Sequence, residues 1–369
     1  MTRIVLIGGF LGAGKTTLLS TIAKRLAAQG RRVGLITNDQ APDLVDSAFL
    51  RQQGLAVGEV SGSCFCCDFN RFIQATQTLE IENKVDIILA EPVGSCTDLS
   101  ATIVQPLKDV FANEYTIAPL CVLVDPHRLD ELFGNTRTGL HKSAAYILWK
   151  QLEEADMLVV NKIDLVPQEQ RETLRNRLAT HFPGRDVHCI SALTGESIDA
   201  WLLAVLEGTG AGERVVEIDY DIYADGEAAL GWLNASAQLD AVNYTDWPSF
   251  CRDFLIGIRE ELAQRKIETG HIKLLATTDG GRCLANLTQT SGEISVRRGI
   301  PSMTRHAELL VNARVQTDPD DLERMVRKFM DLAARKRGVQ GRVLQMRSFR
   351  PTRPVPTHRY DRVITTPGD

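Results

Sequence analysis

The strongest constraint on this chain lies at its start. An apolar run rich in β-branched residues, Arg3–Gly9, passes directly into Gly9-Phe10-Leu11-Gly12-Ala13-Gly14-Lys15-Thr16, and a helical pattern follows from about Lys15 to Ala28. This is GxxxxGK[ST] in the context that gives it meaning, a strand before and a helix after. The glycines let the backbone curl until its N–H groups face one point, and the helix N-terminus adds positive potential there. Gly12, Ala13, Gly14, Lys15, Thr16 and Thr17 are therefore expected at a phosphate chain, with Lys15 on the β- and γ-phosphates and the Thr16 hydroxyl on Mg²⁺.

Further apolar runs follow at Arg32–Asp39, Val85–Glu91, Ala118–Asp125, Asp156–Lys162 and Asp186–Ala192, separated by helical stretches. Nearly all-apolar strands suit a parallel sheet covered on both faces. The expected fold class is α/β, a P-loop NTPase with a mainly parallel, doubly wound sheet. A glycine-rich stretch, Gly208–Arg214, then reads as a linker. Beyond it come a broken strand candidate over Arg214–Asp240, a helix near Trp247–Gln264, strand-like segments at His271–Thr278, Cys283–Gln289 and Ala307–Gln316, and a helix over Asp318–Lys336. That order predicts a smaller α+β C-terminal domain with its helices on one face of a sheet. The boundaries are set at 1–207, 208–214, 215–337 and an Arg/Pro-rich tail at 338–369. The tail reads as a loosely ordered end, with a docking arm for an acidic partner as the alternative.

Three later elements complete a nucleotide site. Glu91 ends the apolar strand of Ile87-Ile88-Leu89-Ala90, where a P-loop protein holds Mg²⁺, and Gly94 can bring its N–H to the γ-phosphate. Asn161-Lys162-Ile163-Asp164 fits NKxD. Asp164 can accept from guanine N1 and N2 together, a donor pair that adenine lacks. Lys162 packs along the base, and Asn161 contacts the base or braces the phosphate loop. Ser191-Ala192-Leu193 after the next strand offers a backbone N–H to guanine O6. The nucleotide expected is GTP, and the activity expected is its hydrolysis. Lys15, Glu91 and Asp39 are the catalytic candidates, Asp39 as a switch and magnesium-shell residue. No residue identifies itself as the one that orients the attacking water.

Cys64, Cys66 and Cys67 form a C-x-C-C cluster on the loop Ser61-Gly62-Ser63-Cys64-Phe65-Cys66-Cys67, inside the same domain. Eight scattered cysteines do not make a disulfide scaffold. With Thr2 already in the first strand pattern, no room is left for a signal peptide, so the expected compartment is cytoplasmic and reducing. There, clustered thiols read as ligands for Zn²⁺ or another thiophilic divalent metal. Three sulfurs leave one tetrahedral position for water, a side chain or a partner's ligand. Cys121 and Cys189 read as core residues, and Cys96 is left between the nucleotide, the metal loop and the core. A net charge of −5 argues against general nucleic-acid binding, and no apolar run is long enough to span a membrane.

Gly8–Thr17, the cysteine cluster, Glu91-Pro92-Val93-Gly94 and Asn161–Asp164 together resemble the CobW-like family of GTP-dependent metal chaperones, alongside the urease- and hydrogenase-accessory GTPases. The resemblance covers about residues 1–207. It implies a divalent metal at the cysteine loop, delivery of that metal or a metal cofactor to a client metalloenzyme, and a nucleotide-dependent homodimer. Three features depart from the family pattern. Asn38-Asp39-Gln40 replaces Asn-Glu-Phe-Gly, Ser63 separates Gly62 from Cys64, and no histidine-rich segment exists. Two other readings stay open: a GTPase switch or activator for a nitrile hydratase- or cobalamin-type enzyme that carries no metal itself, and, more distantly, a nucleotide kinase.

Overall fold

The computed structural model describes residues 1–40, 45–134, 139–299 and 303–365. In its first half the elements run in the order β1 (Thr2–Gly9), α1 (Lys15–Ala28), β2 (Val33–Asp39), α2 (Val45–Arg51), β3 (Ala56–Ser61), α3 (Phe69–Asn83), β4 (Ile87–Glu91), α4 (Gln105–Val110), β5 (Tyr115–Ile117), β6 (Cys121–Val124), α5 (Pro126–Phe133), α6 (Lys142–Glu154), β7 (Met157–Val160), α7 (Gln168–His181), β8 (Asp186–Cys189) and α8 (Ile198–Glu207). The eight strands form one parallel sheet in the order β3-β2-β4-β1-β6-β7-β8, with β5 also paired to β1.

Alternation within β1 explains why the sheet is wound on both faces. Ile4 and Leu6 pack into one apolar layer with Phe72, Ile147 and Leu148, while Val5 and Ile7 pack into the other with Leu18, Leu19 and Trp201. Two strands of this sheet are not foreseen in the sequence. β3 carries Gly58 and Glu59 in six residues, and β5 has only three residues, so neither shows an apolar run.

The second unit begins with α9 (Tyr220–Ala228), followed by β9 (Gly231–Thr245), α10 (Trp247–Gln264), β10 (Thr269–Thr278), β11 (Gly281–Leu287), β12 (Ser295–Arg298), β13 (Thr304–Val315), α11 (Pro319–Lys336) and β14 (Val339–Phe349). Its six strands pair antiparallel in the order β12-β11-β10-β13-β9-β14. One face of this sheet, Ile272, Leu274, Val311 and Ala313, meets Phe250, Phe254 and Ile258 of α10 and Val326 and Phe329 of α11. The other face turns toward the first unit.

Two expectations, the long strand and the loose tail, are corrected here. The supposed strand over Arg214–Asp240 begins with a helix, since Asp219 accepts hydrogen bonds from the N–H groups of Asp221 and Ile222 and caps α9. The glycine-rich stretch 208–214 is held against the first unit. Asp156 accepts from Gly212 N at 2.7 Å and Glu213 N at 2.9 Å, and Gln105 donates to Gly212 O at 2.8 Å. The tail is held in place over its described residues. Its first part is β14, an edge strand on β9, and the rest runs back over the first unit. Residues 366–369 of that tail lie outside the described residues.

Candidate functional site

Because every strand of the first sheet is parallel, the loops after β1, β2, β3, β4, β6, β7 and β8 leave by the same edge. This edge collects the residues singled out by the sequence. Gly9, Gly12 and Gly14 take φ values of 131°, 81° and 95°, which L side chains rarely adopt. A Cβ on Gly14 would also lie 2.4 Å from Asn161 Nδ2. The loop therefore has its curled form because these positions are glycine.

Lys15 points into the curl. Its Nζ donates to Gly9 O at 2.8 Å and lies 3.9 Å from Glu91 Oε1. Thr16 Oγ1 donates to the same Glu91 oxygen at 3.1 Å, while Glu91 Oε2 is buried and has no partner. Burial lowers the pKa of Lys15. Burial, with the nearby Asp46 carboxylate, raises Glu91 to about 7 against the pull of Lys15 and Lys273. A hydroxyl beside an orphaned buried carboxylate oxygen is a donor set suited to a hard, oxygen-seeking cation such as Mg²⁺. Gly94 sits against this group, since a Cβ there would come within 2.7 Å of Leu11 and 3.1 Å of Lys15 Nζ.

At the other end of the cleft, Asn161 braces rather than reads. Its Nδ2 donates to Ala13 O at 2.8 Å and its Oδ1 accepts from Ala192 N at 2.9 Å. The Ala192 N–H is thus engaged by Asn161, and Leu193 and Asp164 line the open side. Ser191 Oγ donates to Asp164 Oδ1 at 2.5 Å and orients the carboxylate. Lys162, at φ 63°, reaches Asp125 Oδ2 at 2.5 Å. Asp125 was not identified from the sequence, although an aspartate closing an apolar strand before a proline is a usable signal.

The polar face of the second sheet roofs this edge, an arrangement not foreseen from the sequence. His271, Lys273, Asn286 and Arg314 line the same cleft of about 710 Å³ as the phosphate loop and Asp164, a size typical of small-ligand sites. Contact is direct, because a Cβ on Gly12 would lie 3.1 Å from Thr288. Lys273 Nζ pairs with Asp46 at 2.6 Å. Arg314 is fully buried. It donates to both carboxylate oxygens of Asp39, at 2.8 and 2.7 Å, and stacks on Trp232 at 4.1 Å. Asp39 thus lines the cleft and engages the roof.

The thiol loop follows β3. The sulfurs of Cys64, Cys66 and Cys67 lie within 4.8 Å of one another, with Cys64 and Cys66 2.9 Å apart. None of the eight cysteines is in a disulfide. Asn38 shapes this loop. Its Nδ2 donates to Val60 O and Ser63 O at 2.8 and 2.7 Å, and its Oδ1 accepts from Phe65 N at 2.9 Å. The tail covers the loop from outside: Thr357 N donates to Cys66 O at 2.8 Å and Thr357 Oγ1 to Cys67 O at 3.0 Å. Cys96 is buried beside Cys64 and Cys66, and interaction with their thiols brings its pKa down to about 6. Contacts with the neighbouring thiols raise Cys66, and Cys67 rises to about 11. Among the described residues, no helix is long and apolar enough to cross a membrane.

Comparison with known proteins agrees with this geometry. The nucleotide-binding domain described as CobW/HypB/UreG is matched over residues 3–188, half of the 369-residue chain. The chain is 30% identical over 229 residues to the zinc chaperone CobW of a Sinorhizobium species, covering 55% of this chain and 62% of that protein. It is 32% identical over 184 residues to the zinc chaperone YeiR of Escherichia coli, covering 47% of this chain and 51% of that one. The matches thus span between half and two thirds of these relatives' length. The Zn(II)-bound YjiA GTPase of Escherichia coli superposes at a TM-score of 0.38 and 18% identity, covering 89% of this chain and 98% of that chain. That likeness is too low to carry an argument. With its phosphate loop, acidic β4 end and thiol loop on one sheet edge, and the family domain matched over half its length, the chain belongs to the CobW/HypB/UreG family.

Proposed function

We propose that this protein binds and hydrolyses GTP and uses the cycle to hold and release a thiophilic divalent cation, zinc in the first instance, for a client metalloenzyme. The reading puts it in the cytoplasm, where thiols stay reduced. The observation that carries it is that two short segments each touch both sites. At the end of β2, Asn38 holds the cysteine loop while its neighbour Asp39 holds Arg314 in the roof. After β4, Gly94 lies against Lys15 while Cys96 reaches the thiols two residues later. A change at the phosphate end is transmitted to the sulfurs through a few bonds.

In this reading Gly12, Ala13, Gly14 and Thr17 cradle the phosphates, and Lys15 places its charge where negative charge builds as the γ-phosphate leaves. Thr16 and Glu91 would hold Mg²⁺, which when bound neutralises charge on the β- and γ-oxygens. Asp164, oriented by Ser191, reads guanine. Asp39 acts as the counter-ion that lets the roof respond to what lies beneath it. Cys64, Cys66 and Cys67 take the cargo metal. Because linkage is reciprocal, a nucleotide that changes metal affinity must have its own affinity changed by the same factor, typically about 5–150-fold in coupled proteins.

The nucleotide half is tested by turnover of the purified protein with GTP and ATP in the presence of Mg²⁺. Selective hydrolysis of GTP is expected, and it should be lost with Asp164→Ala. Equal turnover of both nucleotides, unaffected by that substitution, would overturn the base assignment.

A further inference from the structure

Three sulfurs leave a tetrahedral metal one ligand short. Two buried protein groups from outside the loop lie near these sulfurs. Cys96 is 1% exposed and packs in one buried cluster with Cys64 and Cys66, close enough for its thiol to interact with both of theirs. Glu227 of α9 is also 1% exposed. Its Oε1 accepts from Ser95 Oγ at 2.5 Å, and its Oε2 has no partner. Both are contributed by segments other than the cysteine loop.

The backbone at Cys96 is held on both sides. Gln151 of α6, itself fully buried, donates from one amide to Gly94 O at 3.1 Å and to Cys96 O at 2.7 Å. Cys96 N donates to Val93 O at 2.9 Å. Glu154, one helical turn further on, accepts from Thr97 Oγ1 and from the N–H groups of Asp98 and Ser100 at 2.9–3.0 Å. Asp98 takes the left-handed φ of 69°, and its carboxylate accepts from Tyr220 and from Arg359 in the tail, each at 2.7 Å. A small apolar residue filling a core gap needs none of this. The buried polar scaffold fixes the direction of one thiol, much as outer-shell partners fix metal ligands.

We propose that Cys96 is the fourth protein ligand, completing a four-thiolate site for a soft divalent cation with Cys64, Cys66 and Cys67. This rests on the metal-binding reading above and extends it. Each thiol gives up its proton as the metal binds, and no redox step is involved. Choosing thiolate over the Glu227 carboxylate favours zinc over harder cations. The choice also ties the metal to the nucleotide, because Cys96 and the phosphate-facing Gly94 belong to one turn pinned by one glutamine. Glu227, poised beside the sulfurs, is left as the neighbouring acceptor.

The test is Co²⁺ and Zn²⁺ binding to the full chain and to Cys96→Ser, Glu227→Gln and the triple serine variant at Cys64, Cys66 and Cys67, together with zinc-edge absorption on the unmodified protein. Four sulfurs around zinc are expected. Cys96→Ser should lose about a quarter of the thiolate-to-cobalt charge-transfer intensity, as one of four bonds is removed. Its zinc affinity should drop by more than the roughly 10–100-fold typical of losing an outer-shell partner. Glu227→Gln should keep the four-sulfur spectrum. Three sulfurs and one oxygen in the unmodified protein would overturn the assignment, whether or not Cys96→Ser folds. A spectrum lost with Glu227→Gln and kept with Cys96→Ser would do the same. Indifference to the triple serine change would instead defeat the metal-binding reading itself.

Discussion

Lys15→Ala is expected to lower GTP turnover by a factor of about 10²–10³, the usual cost of removing one preorganised group that meets developing charge in a dry site. The ammonium lies under the roof, 6% exposed, and is fixed by Gly9 O. Little stability should be lost with it. Burial already works against the charged lysine, and without that cation the Glu91 carboxyl, already raised to about 7, takes up its proton more readily. The site then loses one charge of each sign. Steady-state turnover beside a thermal melt checks both halves. A rate within about threefold of the parent would mean that Lys15 does not reach the transferring phosphate.

The second large effect is on the roof. Asp39→Ala should cost about 3–5 kcal/mol of folding stability, because it leaves a buried guanidinium without its carboxylate. Arg314 would keep Asn234 Oδ1 at 2.9 Å, Leu233 O at 3.1 Å and the face of Trp232, all neutral. The double change Asp39→Ala with Arg314→Met removes the charge problem and should recover most of the loss. Denaturant midpoints of the two variants measure this directly. A single-variant cost under about 1 kcal/mol would place Arg314 in contact with water and the roof off its counter-ion.

The two sites differ in how far the sequence announces them. The phosphate loop and Asn161–Asp164 are legible because their backbone and hydrogen-bonding demands admit few residues and are met within eight and four consecutive positions. Gly14 shows why: its φ of 95° and the nearby Asn161 leave no room for a side chain. The sequence leaves the role of Asn161 between two readings, since bracing Ala13 O depends on a partner about 150 positions away.

The roof was missed for a different reason. In β10, His271 and Lys273 alternate with Ile272 and Leu274, the pattern of a strand with one wet face. The polar face instead covers a charged cleft, and alternation alone cannot tell water from a polar ligand site. Composition alone does not reveal the tail's place. β14 is a polar edge strand whose partner β9 lies about a hundred positions upstream, and Thr357 and Arg359 gain meaning only where the chain returns to the cysteine loop and Asp98. The place of Cys96 is not legible in the sequence, because its approach to Cys64 and Cys66 crosses from one loop to another.

Zinc affinity, measured by competition with a chromophoric chelator in the apo, GDP and non-hydrolysable-GTP states beside the Cys64, Cys66 and Cys67 triple serine variant, tests the central claim most directly. Cysteine-dependent binding that shifts about 5–150-fold between the GDP and GTP-analogue states is the expected result. The same affinity in all three states, or an affinity untouched by the serines, would contradict it.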